Sequence, residues 1–404
     1  MTDREIVREL AKKYGEIAGS EKNKRMRQRF LDTNNLKLVR PPVNIEEVPW
    51  FEMNIDGELD LLCGDENYRE MEKKLRIFLF REKHFSCDNY IEPFWNIKKN
   101  YEVNGIGFEV REERRSVDDK NWIVSHHYED VLEDEKVLEK YEEPVVKALP
   151  EKDEKEKNFA EEALGDILPV RLTGNMTYYA PWDEIATLRG VEPILMDMYD
   201  RPEYVHRIIG LYTKRMKSIV AQMKAQNLFG PESLDIHCTP AAVDYPEDGR
   251  IHCWFRTMAQ MFSTISPEMH YEFDMAYSIP LSEEFSYTYY GCCEPLSDRI
   301  SELKNYKNLR KVGCSPWADV EKTAELLGKD YVLSRKPNPA FVAMKTDPEV
   351  VKKELIQTVE ACEKYGTPFD YTLKDISTAG YRPENLILWA KTVSEVLDGY
   401  YGKA

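Results

Sequence analysis

Beyond about residue 165 the chain settles into short apolar runs, each followed by a stretch of helical period. The runs are ILPVRLTGN (167–175), SLDIHCTP (233–240), EFSYTYYGCCE (284–294), NLRKVGCSPWAD (308–319), DYVLSRKPNPA (330–340) and PFDYTLKDIST (368–378). The helical stretches include 201–226, 266–281, 317–328, 347–366 and 382–397. Strands alternating with helices are the pattern of a parallel sheet, because a parallel connection needs a crossover long enough to hold a helix. These six units join a first strand in LKLVRPPV (36–43), ended by its double proline, and one more strand before residue 165. Together they predict an α/β fold, a (β/α)8 TIM barrel. A doubly wound open sheet is the alternative, but no run is followed by the glycine-rich turn that such a sheet uses for dinucleotides.

The chain, 1–404, then reads as a single barrel domain with two additions: an N-terminal helical extension over 1–38 and an insertion over 45–160. Within the insertion, NYREMEKKLRIFLF has a helical period and NYEVNGIGFEVREERR alternates around Asn104-Gly105 as a β-hairpin would. The charged tract from Tyr128 to Leu164 reads as solvated helix interrupted by Pro144 and Pro150.

Composition narrows the class. Hydrophobic residues make up 42% of the chain, enough for a large core, and the formal net charge is −17. That charge speaks against a nucleic-acid surface, which needs clustered Lys and Arg. No run approaches the ~20 apolar residues of a membrane helix. The first residues, MTDREIVRELAKKYGEIAG, are amphipathic and lack the apolar centre of a signal peptide. The expected setting is the cytoplasm, where the eight cysteines stay reduced and metal or catalytic roles outrank disulfides. A bridge between the neighbours Cys292 and Cys293 would strain the backbone.

In a parallel barrel the active site gathers at the C-terminal ends of the strands. Those ends carry His237 and Cys238, then Cys292, Cys293 and Glu294, then Cys314, then Arg335, Lys336 and Asn338, and finally Lys374 and Asp375. A single strand-end cysteine is ordinarily a small buried hydrophobe. Three successive strand ends with cysteine, on strands about 4.8 Å apart, point to thiolates sharing one ion. Zinc suits such ligands, and a catalytic zinc takes three from the protein and keeps one position open. Cys293 and Cys314 are the leading pair. Period-two alternation sends Cys292 to the opposite side from Cys293. His237 is the candidate third ligand, with Cys238, Glu294, Glu268 and Glu272 as rivals.

From about 165 to 395 the chain resembles the uroporphyrinogen decarboxylase superfamily, which includes cobalamin-dependent methyltransferases. The resemblance is carried by residues 201–226, SPEMHYEF, YYGCCEPL, LRKVGCSPWADVEKTAELLGKDYVLSRKPNPA and YRPENLILWA, with LVRPPV similar to the first strand. The decarboxylases of that family bind porphyrinogen carboxylates through an arginine-rich segment after the first strand. Here the segment reads RPPVNIEEVPWFEMN, with Arg40 alone before acidic residues. The methyltransferase branch holds zinc through a His-x-Cys strand and a distant cysteine. Cys293 matches one family cysteine; the histidine is absent, and the last strand has no cysteine. The carboxylate and two cysteines of aryl methyl ether demethylases come nearer.

The resemblance implies a zinc-dependent O-demethylating methyltransferase that moves a methyl group from a small methylated substrate, a methoxylated aromatic being favoured. The acceptor would be the cobalamin of a separate corrinoid protein, since the chain shows no corrinoid-binding motif of its own. Trp254, Tyr289, Tyr290 and Trp317 would form the substrate pocket with Lys336 and Asn338. Lys374 and Asp375 would position substrate or carry protons. Expected partners are the corrinoid protein and the small substrate, with a homodimer as an option, and neither nucleic acid nor membrane. The alternatives are a metal-free decarboxylase of the uroporphyrinogen type and a non-catalytic ligand-binding barrel.

Overall fold

The computed structural model describes residues 1–115, 125–230 and 236–402. Two helices lead in, α1 (Asp3–Gly19) and α2 (Glu21–Asn34), each N-capped by a hydroxyl, Thr2 and Ser20. The main sheet has seven strands: β1 (Val43–Ile45), β2 (Thr177–Tyr179), β3 (Ile251–Thr257), β4 (Phe285–Tyr290), β5 (Leu309–Cys314), β6 (Val332–Arg335) and β7 (Phe369–Leu373). Their order is β1-β7-β6-β5-β4-β3-β2, and every neighbouring pair is parallel. Among the long helices of the second half are α3 (Pro202–Ala225), α4 (Val320–Leu327), α5 (Pro348–Tyr365) and α6 (Pro383–Tyr401). Asp319 and Asp347 cap α4 and α5 at their starts, and Gly366, at φ 70°, ends α5 in the left-handed conformation that glycine adopts freely.

Among the described residues the expected eight-stranded closure is not seen, and β1 and β2 are the edges. The sheet nonetheless curls, because one segment, residues 236–243, touches both halves of its inner face. Asn44 Nδ2 on β1 donates to the Cys238 carbonyl at 3.0 Å, and Trp254 Nε1 on β3 donates to the Ala241 carbonyl at 3.0 Å. Ile236, Ala241 and Val243 pack with Trp254 and Tyr289 in one apolar cluster. The strand expected at 233–240 falls partly on residues 231–235, outside the described residues. The remainder, Ile236–Thr239, is a turn closed by Ile236 N donating to the Thr239 carbonyl.

Registers divide each strand into an inner and an outer face. The inner rows run Arg256–Tyr289–Lys311 and Gly313–Ser334–Asp370 across neighbouring strands, and Thr372 pairs with Asn44. The outer row Cys314–Arg335–Tyr371–Val43 faces the helices, and the Tyr371 hydroxyl donates to the Leu355 carbonyl on α5. The outer face belongs to the main apolar core with α4, α5 and α6. The inner face is polar: Lys311 Nζ and Asp370 Oδ2 form a fully buried ion pair at 2.6 Å. Ser334 Oγ and Thr239 Oγ1 donate to the same carboxylate at 2.7 and 3.2 Å. A buried pair persists only when its remaining valences are met in this way.

Strand β3 was not anticipated. Its sequence, IHCWFRT, mixes His252, Trp254 and Arg256 on the inner face, so no clean alternation marks it. Two local expectations also differ. The first strand begins after the double proline, not before it. Asn104-Gly105 does not turn a hairpin: Tyr101–Val103 pairs antiparallel with Val146–Ala148. The Asn104 side chain directs that crossing, donating to the Glu143 carbonyl and accepting from Val145 N. The charged tract yields one α-helix, Pro150–Leu164, preceded by a short 3-10 turn and that strand. Among the described residues no helix is long and apolar enough to cross a membrane.

Candidate active site

The C-terminal ends of β1, β4 and β7 converge with the 236–243 segment. Strand β4 stops at Tyr290, and Gly291 turns the chain at φ 111°. A Cβ at Gly291 would lie 2.7 Å from the Leu296 side chain and 3.4 Å from the Gly313 backbone, so this strand end admits only glycine. The turn breaks the period-two alternation expected for the two cysteines that follow. Both thiols face the mouth, with Sγ atoms 3.4 Å apart, and the Cys292 amide donates to Glu294 Oε2 at 2.9 Å.

Opposite them stands Lys374, just past β7 and only 2% exposed. Its ammonium is 2.5 Å from Asp375 Oδ1, 3.5 Å from Glu47 Oε2, 3.8 Å from Cys293 Sγ and 4.0 Å from Cys292 Sγ. The Cys293 Sγ lies 3.0 Å from Asp375 Oδ2, so its one proton is shared between that carboxylate and Cys292 Sγ. Glu47 ties the ring together, accepting from Asp375 N at 2.8 Å and from the Cys238 thiol at 3.5 Å. Glu47, Cys238 and Asp375 all have left-handed backbones, at φ 53°, 53° and 59°. Such conformations are uncommon for these side chains and cluster where a structure enforces a functional geometry.

The environment sets the protonation of each group. Cys292 is held below its ordinary value by the hydrogen bond from Cys293, and by Lys374 and Arg256, against its burial. Cys293 is pushed up by its bond to Cys292 and by burial. Burial, then Glu47, raises Cys238 to about 12. Burial opposes the charge on Lys374, but the thiols and Asp375 outweigh it and hold the ammonium protonated. His237 is kept neutral, first by burial and then by the cations Arg256, Lys336 and Lys374. The pattern is a Cys292 thiol whose titration is lowered beside a fixed ammonium, with the neighbouring thiol as hydrogen-bond partner.

The residues singled out from sequence separate into two groups. Cys293, Lys374, Asp375 and Lys336 meet at the inner face, with Trp254 and Tyr289 beneath them. His237 joins them, its ring 6.0 Å from that of Tyr289 and its Nε2 without a hydrogen-bond partner. Cys314 does not: it is the last residue of β5 on the outer row, fully buried, with the Arg335 guanidinium 3.6 Å from its sulfur. Tyr290 also faces outward, its hydroxyl 2.7 Å from Asp274 Oδ2 and 2.6 Å from His270 Nε2. Trp317 is 70% exposed on the loop after β5. The Asn338 amide donates to Glu354, and its side chain accepts from Ala340 N to cap the next turn. Glu272 pairs with His206 in the helix layer, and Glu268 lies in the first turn of the same helical stretch. Glu294 stays near, accepting from Cys292. Two residues were missed, Glu47 and Arg256. Arg256 shows in sequence only as a cation closing an apolar run.

As arranged, these side chains do not fit the expected zinc. Among the described residues no group of three or more His, Cys, Asp or Glu is placed to hold a metal ion. The reason is visible: the ammonium of Lys374 occupies the space on which Cys292, Cys293, Asp375 and Glu47 converge.

No family model matches the chain, and no curated protein matches it. A solved structure, a methyltransferase from Methanosarcina mazei, is similar with a TM-score of 0.49 and 11% identity, over 93% of this chain and 99% of that one. At that similarity no property of that protein transfers to this one.

Proposed function

We propose that the chain is a methyltransferase. It would take a methyl group from a small methylated donor, a methoxylated aromatic being favoured, and pass it to the cobalamin of a separate corrinoid protein docked over the mouth. The observation that carries this is the buried Lys374 ammonium, fixed at the strand ends by Asp375 and Glu47. Methyl transfer out of an ether leaves the bonding pair on oxygen, and that oxygen needs a positive or protonating group where the charge develops. Lys374 Nζ, held as an ammonium by the thiols and Asp375, would stabilise that charge. The corrinoid acceptor rests on the sequence resemblance alone. Zinc has no step here, because the donors surround an ammonium.

Decarboxylation of the uroporphyrinogen type is the second reading, favoured by the cations Arg256 and Lys336 on the inner face. One experiment separates the two. The protein is mixed with cob(I)alamin and panels of methoxylated aromatics, methylamines and methanol, and the cob(I)alamin absorbance is followed. Methyl transfer predicts decay with at least one donor, lost in Lys374→Met. If no donor gives decay and a porphyrinogen releases carbon dioxide, decarboxylation replaces it.

A further inference from the structure

We propose that Arg256, Lys336 and His237, grouped about Tyr289, form a binding site for the carboxylate of a small acidic substrate. This names the substrate class of the transfer proposed above; it rests on that reading for the methyl group but not for the carboxylate.

The cations on the inner face of the sheet are unequal. Lys311 has Asp370, and Lys374 has Asp375 and Glu47. Arg256 and Lys336, 8% and 2% exposed, form no ion pair with any described residue. The Arg256 guanidinium stacks 4.1 Å over the Tyr178 ring and touches the Met258 sulfur at 3.4 Å, and its Nε is buried without a partner. Lys336 Nζ donates to Ser334 Oγ at 2.9 Å and lies 5.5 Å from the centre of the Tyr289 ring. None of these neighbours carries a charge. Asp183, Glu294 and Cys292 sense Arg256, but none of them forms an ion pair or hydrogen bond with it. Burial raises both Asp183 and Glu294 above their ordinary range, with Arg256 among several smaller opposing influences. Asp370 senses Lys336 but is already bonded to Lys311, Ser334 and Thr239.

Two buried cations without an ion-pair partner destabilise a folded chain, and an arriving anion relieves that. His237, more than nine-tenths buried, adds an Nε2 with no partner, and the fields of Arg256, Lys336 and Lys374 all reach it. Tyr289 is their common neighbour: the His237 ring is 6.0 Å from its ring, the Lys336 ammonium is 5.5 Å from its ring centre, and Arg256 is its register partner on β3. The chain carries −17 overall, so the attraction is local to this pocket and not a property of the surface. A guanidinium, an ammonium and a ring nitrogen without a partner suit a planar carboxylate. The rings of Tyr178, Tyr289 and Trp254 beside them suit an aromatic body behind it.

The test measures binding to the full chain without any acceptor, by titration calorimetry and thermal melting. The probes are 4-methoxybenzoate, methoxyacetate, the neutral 4-methoxybenzamide and inorganic phosphate. At least one carboxylate should bind one per chain and raise the melting temperature, while the amide and phosphate should not. Arg256→Gln and Lys336→Met should each weaken carboxylate binding by about tenfold or more, and Arg256→Lys should keep part of it. Without ligand, Lys336→Met should melt at or above wild type, because it removes an unmatched charge; a merely structural lysine would give the opposite. Binding of neither carboxylate, equal binding of the amide, preference for phosphate, or full affinity in both charge-removing variants overturns the site. Carboxylate binding with no methyl transfer leaves the site standing and removes the transfer. Transfer from neutral donors alone does the reverse.

Discussion

The sulfur of Cys293 lies 3.0 Å from Oδ2 of Asp375, across 82 positions of sequence. The two follow β4 and β7, which are separated in the sheet by β5 and β6. Contact between strands so far apart requires the sheet to curl until its inner faces meet. The same curl brings Lys374 between them and places Cys314, on the intervening β5, behind the wall.

The two cysteines paired by sequence should therefore behave differently. Cys314→Ser places a hydroxyl in the apolar layer beneath α4 and α5 and should cost about 1–3 kcal/mol of stability, with transfer activity retained in the folded fraction. Cys293→Ser should melt close to wild type and lower the transfer rate. Denaturant melts beside the cob(I)alamin assay read both. Equal loss of stability in the two variants would contradict the opposite facing of these side chains.

Thiol reactivity reports the ammonium. Lys374 and the Cys293 donor favour the Cys292 thiolate, so its folded value lies below the ordinary 9.0. Alkylation by a small reagent should accelerate as pH rises through a midpoint below that value. Lys374→Met removes the stabilising charge and should move the midpoint upward. Peptide mapping after timed iodoacetamide exposure assigns the cysteine. An unmoved midpoint would show that the ammonium does not govern the thiol.

The interior ion pair has an asymmetric mutational signature. Lys311→Met leaves Asp370 buried with its main counter-ion gone and should cost about 3–5 kcal/mol. Adding Asp370→Leu removes the stranded charge and should recover much of that loss. Urea denaturation of the two variants measures the coupling. A double variant as unstable as the single one would mean that Asp370 is held chiefly by Ser334 and Thr239.

Carboxylate binding should draw in protons. Burial lowers the Lys336 value below its ordinary 10.5, with Asp370 and the cysteines opposing and Lys374 assisting. An arriving carboxylate stabilises the ammonium and raises that value again. Between the two values the free protein is less protonated than the complex, so binding takes up protons there. Calorimetry of 4-methoxybenzoate in buffers of different ionisation enthalpy should show uptake that grows with pH through that window and disappears in Lys336→Met. Proton release instead of uptake would reverse the assigned role.

How much of this was visible beforehand depended on the length scale of each feature. YYGCCEPL marks a strand end because an aromatic run meets a glycine and two thiols, all local. That both thiols face one way depends on Gly291 at φ 111°, a turn imposed by the closeness of the Gly313 backbone. Arg256 was hidden because a strand with Trp254 and Arg256 inside and Cys253 and Phe255 outside has no polar face to alternate with. Glu47 stood in the sequence only among the acidic residues after Arg40; in the structure it anchors Asp375 and Cys238.

By itself the sequence determined the alternation of strand and helix, the helix starts at Asp319 and Asp347, and the polar residues that end each strand. These follow from side-chain period and capping within a few neighbouring residues. Only the tertiary structure decided which strand ends meet, which face Cys314 takes, and that the Lys374 ammonium stands among the thiols and carboxylates. Those outcomes depend on sheet curl and on register between strands far apart in the chain, where a one-residue shift would exchange the two faces.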